Sequence, residues 1–173
     1  LNVLVFTTFF IMGFLVFIAT RAFDRPLASR RLGWVAFWLM TVGLLVAAVP
    51  LLGNAASVLF TFYPPLKAHW AFYVGLTAVV AGTWLVMIDL VLTQRAWRVE
   101  HPGERTPLPA FMALVTMIMW TIASAGLAAE MLFMLIPWSL GLVSGTDALV
   151  YQGLSDCALN FLRLQMLHDH PPS

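Results

Sequence analysis

Four stretches of this 173-residue chain are long, apolar and almost free of charge. Residues 1–20 and 32–52 hold no Asp, Glu, Lys or Arg, 70–92 hold only Asp89, and 108–136 hold only Glu130. About 20 apolar residues, at a rise of about 1.5 Å each, cross a ~30 Å hydrocarbon core, so each stretch is long enough to span it. Lipid offers the backbone no partners, which makes helix the expected conformation. Barrel strands would be shorter and would alternate polar with apolar residues, and these stretches do not alternate. The expected fold class is all-α, a transmembrane helical bundle with four spans.

Composition narrows the alternatives. The chain is 61% apolar and 10% charged, where soluble domains average ~45–50% and ~25%. Disorder needs the opposite balance. A single cysteine, Cys157, excludes a disulfide scaffold. A net charge of +1 gives no basis for a nucleic-acid partner.

The connectors alternate in charge. Residues 21–31 hold Arg21, Arg25, Arg30 and Arg31 against Asp24, and 93–107 hold Arg95, Arg98 and Arg105 against Glu100 and Glu104. The other connectors are nearly uncharged, with Lys67 alone in 53–69 and Asp147 alone in 137–150. Seven arginines against one lysine place the arginine loops in the cytoplasm, so the first span runs outside to inside. Trp34, Trp70, Trp97 and Trp138 fall near span ends as interfacial aromatics. Trp38, Trp84 and Trp120 lie deeper, where packing between helices is expected. Gly75, Ala81, Gly82 and the patch from Ala123 to Gly126 would allow close helix contact.

Two ionisable side chains fall within spans, and such residues are candidate functional groups. Glu130 lies about 30 Å along its helix from Phe111, near the outer boundary. It reads either as a carboxyl hydrogen-bonded inside the bundle or as a proton-handling group. Asp89 reaches the cytoplasmic interface by the same arithmetic, where pairing with Arg95 or another loop arginine is expected. His69, His101, His168 and His170 all lie outside the spans, and no metal-ligand spacing joins them. No nucleophile–base pair or phosphate loop is visible. From Tyr151 on, the apolar run breaks up. Leu154, Cys157, Ala158, Phe161 and Leu162 keep helical spacing, so residues 151–173 read as a divergent tail with a short amphipathic helix after a membrane domain of 1–150. Leu1 opens inside an apolar run with no basic leader, as expected of a segment cut from a longer protein.

One outer connector carries a recognisable signature. Phe60-Thr-Phe-Tyr-Pro-Pro-Leu-Lys-Ala-His-Trp-Ala-Phe-Tyr73 resembles subunit I of the haem-copper terminal oxidases, particularly the B-type branch. So do Thr106-Pro107-Leu108 with the span that follows, Leu135-Ile-Pro-Trp-Ser-Leu-Gly141, and the opening Leu1-Asn2-Val3-Leu4. The resemblance runs from Leu1 to about Leu154. It implies that the four spans correspond to the second to fifth helices of a bundle of twelve or more, in a bacterial or archaeal-type plasma membrane. The parent would reduce oxygen to water with electrons from a cytochrome c-like donor, coupled to proton movement. Its partners would be the remaining helices of subunit I, oxidase subunit II and lipid.

The family holds haem and copper on histidines just before Leu1 and on later helices, so none of those ligands falls within 1–173. Ser155-Asp156-Cys157-Ala158 stands where the family's Gly-His-Pro motif would follow. Catalytic, cofactor and metal residues are therefore expected to be absent, and the chain alone is expected to be inactive. Tyr63, Pro64, Pro65 and Trp70 would be scaffold near the haem region. A nitric-oxide reductase catalytic subunit shares the fold and stays open as an alternative, as does a complete small four-span transporter or assembly protein.

Overall fold

A computed structural model describes residues 7–53, 55 and 68–142. Every regular element among them is helical: α1 (Phe9–Phe23), α2 (Arg30–Leu52), α3 (Trp70–Glu100), α4 (Leu108–Glu130), a π-helical turn (Met131–Leu135) and α5 (Ile136–Ser139). The last three run on from one another, so Leu108–Ser139 forms one apolar rod of 32 residues. Three helical stretches are long and apolar enough to cross a membrane, and α1 is a shorter apolar helix. The tail of 151–173 lies outside the described residues, as do Tyr63, Pro64 and Pro65.

Local chemistry sets the helix ends. α1 stops where Asp24 turns left-handed at φ 49° and Pro26 follows. α2 starts at Ser29, whose hydroxyl accepts from the Leu32 N–H at 3.2 Å. His69 caps α3, its Nδ1 accepting from the Ala71 N–H at 3.3 Å. Pro102 and Gly103, the latter at φ 87°, close the turn beyond α3. Pro109 sits in the first turn of α4, where its missing N–H has no partner to lose. Pro137 lies inside the continuing rod, not in a loop as its place in the sequence suggests. Its ring crowds the carbonyl of Phe133, four residues back, and the ladder widens to π geometry over that turn.

The sequence boundaries need a second correction. Hydropathy falls after Leu92, yet α3 continues to Glu100. Arg95 and Arg98 therefore stand on helix, and Arg30 and Arg31 form the first turn of α2. The hydrogen-bond ladder does not stop where the lipid stops, and Gln94, Arg95, Ala96 and Arg98 are all compatible with helix.

α3 is the centre of the bundle. α2 lies along it, and α1 packs on α3 and α4. The α2–α3 seam is built from small residues: Gly43, Ala47, Gly75 and Gly82 bring the two backbones together. One buried cluster joins Phe72, Tyr73, Leu76, Met131, Leu135 and Trp138 near the start of α3. Another joins Leu15, Phe23, Leu90, Trp97, Leu114 and Met117 near its end.

Between the clusters, α3 and α4 exchange two hydrogen bonds. The Trp84 indole donates to Ser124 Oγ at 2.8 Å, and the Trp120 indole donates to Thr83 Oγ1 at 3.0 Å. The two hydroxyls donate in turn to carbonyls of their own helices, those of Thr121 and Val80. Hydrogen bonds between membrane helices average about 0.6 kcal/mol and reach about 1.7. Replacing both acceptors, Thr83→Val with Ser124→Ala, is expected to cost about 1–3 kcal/mol of helix-bundle stability in micelles. Unfolding monitored by tryptophan emission would check this.

The tryptophans sort differently from their depth. Trp84 and Trp120 do bridge helices. Trp38 is 56% exposed, contrary to the packing expected of it. The face of α2 toward α3 is Ala36, Met40, Gly43 and Ala47, and Trp38 lies two residues from both Ala36 and Met40, on the far side. Trp97 is buried at 5%, its ring centroid 5.6 Å from that of Phe23, and Trp138 also lies in the core. Of the Ala123 to Gly126 patch, only Ser124 is buried, and an added Cβ at Gly126 would meet nothing.

Candidate functional site

Two polar residues of α3, Asp89 and Thr93, meet the connector between α1 and α2 at the arginine end. Asp89 is 1% exposed. Its Oδ1 accepts from the Ser29 N–H at 3.0 Å, and its Oδ2 has no partner. One turn on, Thr93 Oγ1 accepts from the Ala28 N–H at 2.9 Å and donates to the Asp89 carbonyl at 2.7 Å. α3 thus supplies the acceptors for the N–H groups just before α2, while Ser29 caps the helix itself. Beyond this junction Arg25 Nη1 lies 3.0 Å from Glu100 Oε1. This pair is half open to solvent, so it is worth only about 0–1 kcal/mol. It nonetheless ties one arginine loop to the other.

The pairing expected for Asp89 is therefore corrected. Its partner is a backbone N–H, and no arginine forms an ion pair with it among the described residues. A buried carboxylate oxygen is well satisfied by an amide donor at a helix start. Gly33 leaves the space that Oδ2 faces, since a Cβ there would come within 3.6 Å of it.

α1 and α2 hardly touch, and a groove of about 820 Å³ lies between them, with Val86 and Asp89 of α3 among its lining. Met12 and Val16 line it from α1, and Phe37 and Met40 from α2. It is an apolar space with very few polar groups, so it offers shape and no reactive constellation.

The remaining sequence candidates are scattered. Trp70 opens α3 at 43% exposure, its ring 5.3 Å from that of His69. Glu130 is half-buried at the junction of α4 and the π turn, far along the rod from Asp89's end of the bundle. His101 stacks on Trp97 at 4.7 Å, past the end of α3 opposite His69. The two described histidines are thus about 48 Å apart along the helix. Among the described residues no three His, Cys, Asp or Glu side chains converge on a metal-sized space. The sequence reading missed Ser29 and Thr93, whose role depends on a contact 60 or more residues away and carries no local signal.

Comparison with known proteins gives this architecture a lineage. The family model of cytochrome c and quinol oxidase polypeptide I matches residues 1–157. Cytochrome c oxidase subunit 1 of Thermus thermophilus is 45% identical over 155 residues, which cover 89% of this chain and 27% of that protein. A heme-copper terminal oxidase dimer solved by cryo-EM superposes with a TM-score of 0.77 at 41% identity, over 82% of this chain and 24% of that one. This chain thus spans about a quarter of the length of those relatives. The matches favour the oxidase reading over a nitric-oxide reductase. On the match over nearly its whole length, the chain belongs to the cytochrome c and quinol oxidase polypeptide I family and is an integral membrane protein of that lineage.

Proposed function

We propose that this chain is the second-to-fifth-helix scaffold of the catalytic subunit of a respiratory oxygen reductase. In that setting the parent reduces oxygen to water with electrons from a cytochrome c-like donor, coupled to proton movement. The arginine end faces the cytoplasm, and the remaining subunit I helices, subunit II and lipid surround the bundle. The observation that carries this reading is what the polar side chains do. Asp89, Thr93, Thr83, Ser124 and the indoles of Trp84 and Trp120 all join one helix to another. Large apolar side chains such as Phe14, Leu45, Met119 and Phe133 are left exposed, available to neighbouring helices or lipid.

The family implies haem and copper in the parent, and the described residues do not fit them. His69 is engaged as a helix cap, His101 lies at the other end of α3, and among the described residues no group of three His, Cys, Asp or Glu side chains forms around either. No step through those groups is derived from this chain. Tyr63, Pro64, Pro65 and Trp70 are proposed as scaffold beside the haem region on the strength of the motif they share with the family.

A chimaera tests the proposal. Residues 1–154 would replace the matching segment of the Thermus thermophilus relative. The expected result is retained haem absorbance and oxygen uptake with reduced cytochrome c, while the 173-residue chain alone holds no stoichiometric haem. A chimaera that accumulates and inserts but fails to hold haem overturns the scaffold role. A bis-histidine haem spectrum from the isolated chain overturns the division of labour.

A further inference from the structure

The two arginine-bearing connectors are remote in sequence, yet the structure makes them one surface. Ala28 and Thr93, Ser29 and Asp89, and Arg25 and Glu100 join them at three points. The joined end carries seven arginines against three exposed carboxylates, Asp24, Glu100 and Glu104, with Asp89 buried beneath them. Only Arg25 and Glu100 form an ion pair among the described residues. Arg30, Arg31, Arg95 and Arg105 are exposed and unpaired, and Arg98 reaches only the Thr106 hydroxyl at 3.4 Å.

These cations stand at the ends of apolar helices long enough to span a bilayer, where headgroups would lie. Arg30 and Arg31 begin a spanning helix, Arg95 and Arg98 belong to the last turns of another, and Arg21 lies over the Phe17 ring at 5.7 Å. Trp34, one turn from Arg30, is 53% exposed, as an interfacial anchor would be. A protein partner would need to bring several carboxylates to this depth, whereas a bilayer presents phosphates there already.

We propose that the joined arginine end is an interaction surface that selects anionic phospholipid headgroups from the surrounding bilayer. This goes beyond the scaffold role and rests on the membrane insertion of the chain, not on the parent's activity. Each arginine near an anionic surface changes lipid partition by about fivefold. The attraction weakens as salt shortens its range, to about 3 Å at 1 M.

The test uses the full chain in nanodiscs of equal phosphatidylglycerol and phosphatidylcholine, with retained lipid counted by native mass spectrometry. Wild type is expected to retain phosphatidylglycerol in preference. R30Q/R31Q and R95Q/R98Q are each expected to lower that preference at least fivefold, and 1 M salt during exchange is expected to lower it too. K67Q, on the opposite connector, should leave it unchanged. Tryptophan emission and far-ultraviolet circular dichroism would establish that the variants are folded. Equal retention of the two lipids by wild type overturns the proposal and leaves the surface to an acidic protein partner. So does a loss in K67Q equal to that in the arginine pairs. Failure of the chimaera with the preference intact would sink the oxidase role alone.

Discussion

Gly75→Val is expected to separate α2 from α3 and to cost about 3 kcal/mol or more, the largest loss of any single substitution along this seam. The reason is what a side chain would meet. A Cβ at Gly75 would stand 2.5 Å from the Ala47 N and from the Gly43 O, and 2.9 Å from the Ala47 Cβ. Two of those atoms are backbone, so no rotamer change relieves the clash and the helices must move apart. Membrane helices gain little from hydrophobic burial against each other, and close packing is most of what holds them. Gly43→Val should behave alike, because its Cβ would lie 2.7 Å from the Gly75 O. Gly82→Ala should cost less, since its nearest obstacle is the Met40 side chain, which can shift, with the Ala36 O at 3.1 Å behind it. Gly126→Ala meets nothing and should be neutral or slightly stabilising. Steric-trap or detergent unfolding of the four variants would rank them. Equal stabilities for Gly75→Val and Gly126→Ala would refute the seam.

Asp89→Ala is expected to cost about 1–3 kcal/mol. It strips the acceptor from the part-buried Ser29 N–H, which is then left unpaired at a helix start. Asp89→Asn keeps a carbonyl oxygen at the Oδ1 position and should lose clearly less. If Asn and Ala are equally damaging, the charge matters and the hydrogen bond does not. A companion measurement follows the local junction: backbone amide exchange at Ser29 should rise in Asp89→Ala and stay near wild type in Asp89→Asn. Thr93→Val should raise exchange at Ala28, whose N–H donates to that hydroxyl.

How far the sequence reveals this molecule depends on whether a feature is local. The existence of the helices follows from runs of apolar residues, because the membrane leaves the backbone no alternative. The place of Asp89 along α3 follows from helical rise. Gly75 and Gly82 stand out as small residues in a span, but Gly43, which meets Gly75, does not, because a seam belongs to two helices. Trp38 shows the same limit. Its depth is readable, while the side of α2 that it occupies depends on which neighbour α2 has. The end of α3 is hidden because hydropathy reports lipid and the helix obeys its own ladder. Pro137 is ambiguous for a related reason. A proline after a long apolar run reads as a stop, yet a widened turn lets the rod continue. The site was least legible. The donors to Asp89 and Thr93 are backbone N–H groups, which every residue but proline carries, so no residue type announces them.

The length of α3 has a consequence for the bilayer itself. Its 31 residues make a rod of about 46 Å, where the hydrocarbon slab averages ~30 Å. From Trp70 to Arg95 the same rise gives about 37 Å between an exposed indole and the first guanidinium of that helix. The slack of several ångströms can be taken up by tilt or by the length of the arginine side chains. The helix at the centre of the bundle is therefore indifferent to modest changes of hydrophobic thickness. Thinner and thicker membranes would both be matched by sliding along α3, without disturbing the glycine seam or the paired indoles.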